Sequence, residues 1–123
     1  MDRLKSQYRE AGYAVCERLI PPAELDLIRS AARRIVDDFD IDRHRSVFST
    51  SDGERGRDRY FMDSAESVHC FLEEDALDPG GLLKRPKDLA INKIGHALHD
   101  RIPEFRQFCS QPVFAEALAA LGY

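Results

Sequence analysis

A mostly helical α+β fold is what this 123-residue sequence predicts, on three observations. Apolar residues recur every three or four positions through most of the chain, the spacing of one helix face. Pro and Gly stand at the ends of those stripes, where helices start and stop. Only two segments, 13–20 and 68–74, are apolar over a short stretch and bounded by polar or turn-forming residues, as strands are. A charged fraction of 33% beside an apolar fraction of 43% suits a layer rich in surface helices.

Taken in order, Leu4, Tyr8 and Ala11 repeat at helical spacing, and Gly12 supplies a stop. Segment 13–20 reads as the first strand. Pro21-Pro22 ends it and presets the φ wanted at the first position of a helix, whose stripe is Leu25, Ile28, Ala32, Ile35 and Phe39. From 40 to 59 apolar residues become sparse and Asp, Arg, Ser and Gly dominate, so a mobile loop is expected. Arg55, Arg57 and Arg59 lie there among Asp52, Glu54 and Asp58, a mixture that screens itself and does not make a phosphate site. Segment 68–74 is the second strand, with pairing to the first expected, and Asp78-Pro79-Gly80-Gly81 is a turn. Glu73, Glu74 and Asp75 are consecutive, so on extended chain they point alternately to opposite sides and read as surface charge.

After Pro86, residues 91–100 separate packing from chemistry if they are helical. Ile91, Ile94, Ala97 and Leu98 fall on one side; Asn92, Lys93, His96, His99 and Asp100 fall on the other. That polar face is either a solvated surface or the place where a lysine flanked by histidines meets an anionic small molecule. Gly95 interrupts the pattern and suggests a close backbone approach. Pro103 starts a further helix carrying Phe105 and Phe108, and Ser110 is expected to cap a last one, with Pro112 near its start and Gly122 as its stop.

A net charge of −4 with both signs interspersed gives no single-sign field to draw nucleic acid or an anionic membrane. No run approaches the roughly 18 apolar residues of a membrane span and no signal-peptide pattern opens the chain, so a cytoplasmic protein is expected. Cys16, Cys70 and Cys109 are odd in number and widely spaced, and read as buried small apolar residues in a reducing compartment. On a helix, His96, His99 and Asp100 could share a metal ion, but HxxH alone is weakly diagnostic and no HExxH occurs. There is no GxSxG elbow and no phosphate-cradling glycine loop, so no catalytic residue and no metal ligand is assigned from pattern alone.

Five stretches together resemble the phytanoyl-CoA dioxygenase family, over nearly all of 1–123. They are Tyr8-Arg9-Glu10-Ala11-Gly12-Tyr13-Ala14-Val15, Phe48-Ser49-Thr50, Asp58-Arg59-Tyr60-Phe61, Phe71-Leu72-Glu73-Glu74 and, above all, Asn92-Lys93-Ile94-Gly95-His96-Ala97-Leu98-His99. The last is specific to the branch described as phytanoyl-CoA dioxygenase domain-containing. The resemblance implies an Fe(II)- and 2-oxoglutarate-dependent dioxygenase, acting on a small organic or acyl-CoA-like substrate. It also implies a double-stranded β-helix (jelly-roll) core behind N-terminal helices, and a contact between Lys93 and 2-oxoglutarate. A lysine ammonium partly shielded from water suits a dianion, because a charge-assisted hydrogen bond is worth about twice a neutral one.

One departure governs the expectation. Such oxygenases hold iron with an HxD motif and a later histidine, yet His44, His69, His96 and His99 are followed two positions on by Ser46, Phe71, Leu98 and Arg101. A jelly roll needs about eight strands, and two are found. The chain is therefore expected to be the N-terminal portion of such a domain, its core incomplete, inactive alone and completed by a missing C-terminal core or a partner chain. The alternative is a non-catalytic helical interaction module that binds a partner protein.

Overall fold

In a computed structural model, residues 2–48 and 59–123 are described. Helix α1 (Asp2–Ala11) ends at Gly12, whose φ of +78° is open to glycine at no steric cost, and whose N–H returns to the Tyr8 carbonyl at 2.9 Å. Helix α2 (Pro22–Asp38) starts on Pro21-Pro22, with the Pro21 carbonyl accepting from Glu24 and Leu25. Its last carbonyls are met from elsewhere: Lys87 Nζ donates to the Asp37 carbonyl at 2.7 Å and to that of Phe39 at 3.2 Å. A cation at a helix C-terminus answers both its orphan acceptors and its dipole.

Between those helices the expected strand at 13–20 does not form. The backbone has no regular structure over 13–16, turns at Glu17 and Arg18, the latter at φ +55°, and finds no ladder partner among the described residues. Apolar content made the segment look like a strand; without a partner for its N–H and C=O groups it is only a connection.

Helix α3 (Arg59–Asp63) and a 3-10 turn (Ser64–Glu66) lead into strand β1 (His69–Leu72). Its partner is strand β2 (Ile91–Gly95), which runs antiparallel after the short helix α4 (Lys87–Ala90). The pairs are His69 with Gly95, Cys70 with Ile94, Phe71 with Lys93, and Leu72 with Ile91, so Asn92 is an extra residue in a bulge. On the other edge of β1, Leu72 N–H donates to the Ser46 carbonyl at 2.9 Å, and its carbonyl accepts from Phe48 N–H at 2.8 Å. Within the stretch 40–59, Ser46–Phe48 therefore runs as a third piece along the sheet, and Arg59 opens α3. Residues 49–58, with Arg55 and Arg57, lie outside the described residues.

The expected helix over 91–100 is likewise overturned: it is β2, then a turn through His96 and Ala97 (φ +51°), then helix α5 (Leu98–Arg101). Helices α6 (Pro103–Cys109) and α7 (Pro112–Leu121) each have Pro in the first turn, and Gly122 stops α7 at φ +102°. Ser110 terminates α6 and does not cap α7, whose N-cap is Gln111. The Gln111 side chain donates instead to Glu24 Oε2 at 2.9 Å, tying α7 to α2. Arg34 on α2 pairs with Glu104 on α6. The backbone N–H at the start of α6 and this guanidinium hold the Glu104 carboxyl below the usual range. Tyr8 and Tyr123 share a 2.7 Å hydrogen bond that ties α1 to the end of α7.

The core is centred on the sheet. Among the described residues the fully buried apolar ones are Ala31, Cys70, Phe71, Leu72, Ala76 and Ala90. Of the three cysteines only Cys70 is buried; Cys16 is half-buried and Cys109 exposed, which corrects the expectation for those two. Burial pushes the Cys70 thiol up to about 11, with the Lys87 charge pulling the other way. Since the thiolate is the reactive form, iodoacetamide at pH 8 is expected to label Cys109 promptly and to spare Cys70 until the chain is unfolded. Peptide mass spectrometry checks this, and equal labelling rates would mean that β1 opens readily.

Candidate functional site

Because β1 and β2 alternate faces, His69, Phe71, Lys93 and Gly95 share one side of the sheet. Phe71 is fully buried there, with its ring against Phe48, Tyr60, Phe61 and His96 at centroid distances of 6.2, 5.4, 5.7 and 6.3 Å. Onto this aromatic floor the half-buried Lys93 lays its side chain. Its ammonium stands 4.7 Å from the Phe48 centroid and 5.9 Å from that of Phe61, within reach of both ring faces. Lys93 Nζ lies 2.9 Å from His96 Nε2.

A lysine ammonium can only donate, so His96 Nε2 accepts and its proton resides on Nδ1. Nδ1 lies 2.9 Å from the hydroxyl of the fully buried Ser64, which passes its own hydrogen to the Phe61 carbonyl at 2.5 Å. The His96 Nδ1–H and the Ser64 hydroxyl thus each meet an acceptor, and this sets the tautomer of the ring. No carboxylate pairs with Lys93 among the described residues: the charge rests on a neutral imidazole and two ring faces.

Gly95 has its explanation here. A Cβ at this position would come within 2.9 Å of Lys93 Cε, so the lysine stem occupies the space a side chain would need. Gly95→Ala is expected to push that flexible stem aside at little cost to folding, while moving the ammonium off His96. A nuclear Overhauser contact between the Lys93 Hε and His96 ring protons, present in the wild type and lost in the variant, checks it; its survival would show that the stem has room.

A second group lies beside the first. Phe39, His44, Tyr60 and His69 stack in series, with centroid distances of 6.4, 4.9 and 4.2 Å, along the wall of an open cleft of about 660 Å³. His69 Nδ1 meets the Tyr60 carbonyl at 3.1 Å and its Nε2 meets Ser67 Oγ at 3.1 Å.

Residues 91–99, which dominate the site, lie within a longer stretch that matches a known family. The profile of the family described as Phytanoyl-CoA dioxygenase (PhyH) matches residues 8–122. The chain belongs to the phytanoyl-CoA dioxygenase family. Among its relatives are two named phytanoyl-CoA dioxygenase domain-containing protein 1 homolog. The one from Dictyostelium discoideum is 33% identical over 95% of this chain and 41% of its own length. The one from Caenorhabditis elegans is 35% identical over 98% of this chain and 42% of its own. A phytanoyl-CoA dioxygenase from Arabidopsis thaliana is 36% identical over 94% and 41%. The chain thus spans about two fifths of the length of these relatives.

Within this family member, Lys93 and His96 meet, but through a strand end and a turn and not on one helix face. His99 does not join them: it is exposed on α5, 3.5 Å from the Asp100 carboxylate. His96 turns its two nitrogens to Lys93 and Ser64 and not toward His99 and Asp100. No trio of His, Cys, Asp or Glu able to hold a metal occurs among the described residues. Glu73 accepts from Asn92 at 2.9 Å and Asp75 pairs with Arg85. Sequence reasoning missed Ser64, which nothing in its neighbourhood marks. Phe48 and Phe61 stood in stretches that carried the family resemblance, and that was the available signal. Among the described residues no helix is long and apolar enough to cross a membrane.

Proposed function

We propose that residues 1–123 form the N-terminal portion of an Fe(II)- and 2-oxoglutarate-dependent dioxygenase, and that Lys93 holds a carboxylate of 2-oxoglutarate. The observation that carries this reading is the half-buried ammonium supported, among the described residues, only by neutral groups. A charge withdrawn from water and left without a counter-ion is costly, and a dianionic ligand supplies the missing partner. The chemistry that 2-oxoglutarate brings when bound is oxidative decarboxylation to succinate, which drives hydroxylation of a small organic or acyl-CoA-like substrate. This chain's share is to orient one end of that molecule and to keep water from it with Phe48, Phe61 and Phe71.

Iron does not fit the described residues, which offer no ligand trio, and no HxD occurs in the sequence. In this reading the iron ligands and the jelly-roll strands belong to the C-terminal core, and the 123 residues alone are inactive. The small core and the exposure of Leu27, Leu82, Leu89 and Leu118, at 51, 68, 63 and 53%, support a domain completed by further polypeptide. The same exposure suits the alternative, an interaction module without catalysis. Anaerobic calorimetry of the full-length protein with 2-oxoglutarate separates the two: saturable binding that Lys93→Ala weakens supports the oxygenase reading, and absence of binding favours the module.

A further inference from the structure

Resting on the assignment of Lys93 to 2-oxoglutarate, we infer that His96 and Ser64 are positioning residues that aim the Lys93 ammonium at its ligand. Lysine has a long, flexible stem and three equivalent donors, so its direction must be imposed from outside. His96 Nε2 is its one hydrogen-bond acceptor among the described residues, at 2.9 Å. That nitrogen accepts only while the ring proton sits on Nδ1. Ser64 keeps it there, because its hydroxyl hydrogen is committed to the Phe61 carbonyl and its oxygen is left to accept from Nδ1. In the other tautomer an Nε2–H would face the ammonium, donor against donor, and Lys93 would swing away. Ser64 is fully buried, so water cannot substitute for it readily.

His96 also packs edge-on against Phe61, with centroids 5.7 Å apart, so loss of the ring has a structural cost that must be told apart from loss of the acceptor. Three measurements on the full-length protein do so. The ¹⁵N spectrum of the wild-type His96 ring is expected to show a protonated Nδ1 and a bare Nε2, with that preference lost in Ser64→Ala. In anaerobic calorimetry, His96→Phe, which keeps a flat ring, is expected to weaken 2-oxoglutarate binding about tenfold. His96→Gln, whose amide oxygen can replace Nε2 as the acceptor, is expected to restore most of it.

A proton on Nε2 in the wild type overturns the inference without any variant, so misfolding of His96→Phe leaves it decidable. Unchanged affinity in His96→Phe, with Lys93→Ala still weakened, overturns the positioning role and leaves the Lys93 assignment standing. Unchanged affinity in Lys93→Ala removes the assignment on which both depend.

Discussion

Replacing Lys93 by methionine is expected to weaken 2-oxoglutarate binding by roughly 10- to 150-fold, the range for one hydrogen bond to a charged group. Methionine keeps an unbranched stem of similar length beside the Phe48 and Phe61 rings, so the loss reports the charge and its donors and not the packing. Lys93→Arg tests direction separately. A guanidinium keeps the charge but presents a planar fork where His96 offers a single acceptor, so an intermediate affinity is expected. Calorimetry on anaerobic full-length protein reads both variants against wild type, and an affinity for the methionine variant within twofold of wild type would sink the assignment. Raising salt should weaken wild-type binding only modestly, since a half-buried charge is screened less than an exposed one.

The second large effect concerns stability. Phe71→Ala is expected to cost about 3–5 kcal/mol, the range for deleting a fully buried aromatic ring. The surrounding rings of Phe48, Tyr60, Phe61 and His96 approach it from different elements and cannot collapse together into the space. Domains are stable by only about 5–15 kcal/mol in total, so this one change takes a large share of the margin. Leu118→Ala, at a 53% exposed position, is the control and is expected to change stability by no more than about 0.5 kcal/mol. Urea unfolding of both variants checks the contrast; a cost under about 1 kcal/mol for Phe71→Ala would mean that the aromatic floor is not the core.

Helices α1, α2, α6 and α7 were legible because each combines an apolar stripe with Pro or Gly at a boundary, and those residues act locally. Segment 91–100 was not, and the bulge says why. Cys70 and Leu72 lie two apart on β1 and so share a face; their partners, Ile94 and Ile91, must share it too, although they are three apart. The extra Asn92 thus gives a strand the spacing of a helix. Segment 13–20 failed for the opposite reason: its composition suits a strand, but pairing depends on what lies beside it, which no local pattern records.

The candidate site divides in the same way. Lys93 and His96 stood out by residue type, and the structure does bring them together, though not on the one helix face expected for them. Ser64 is an ordinary serine in sequence and acquires its role only through burial beneath the His96 ring. Its part in the relay required knowing which atoms the fold brings within 3 Å of one another.

The short piece Ser46–Phe48, bonded through both backbone groups of Leu72, carries Phe48 on the sheet, and the Tyr60–His69 stack fastens the helix bearing Phe61 to the same sheet. Both rings beside Lys93 thus lean on the β1–β2 pair, so a change that loosens that pair reaches the lysine through two walls at once.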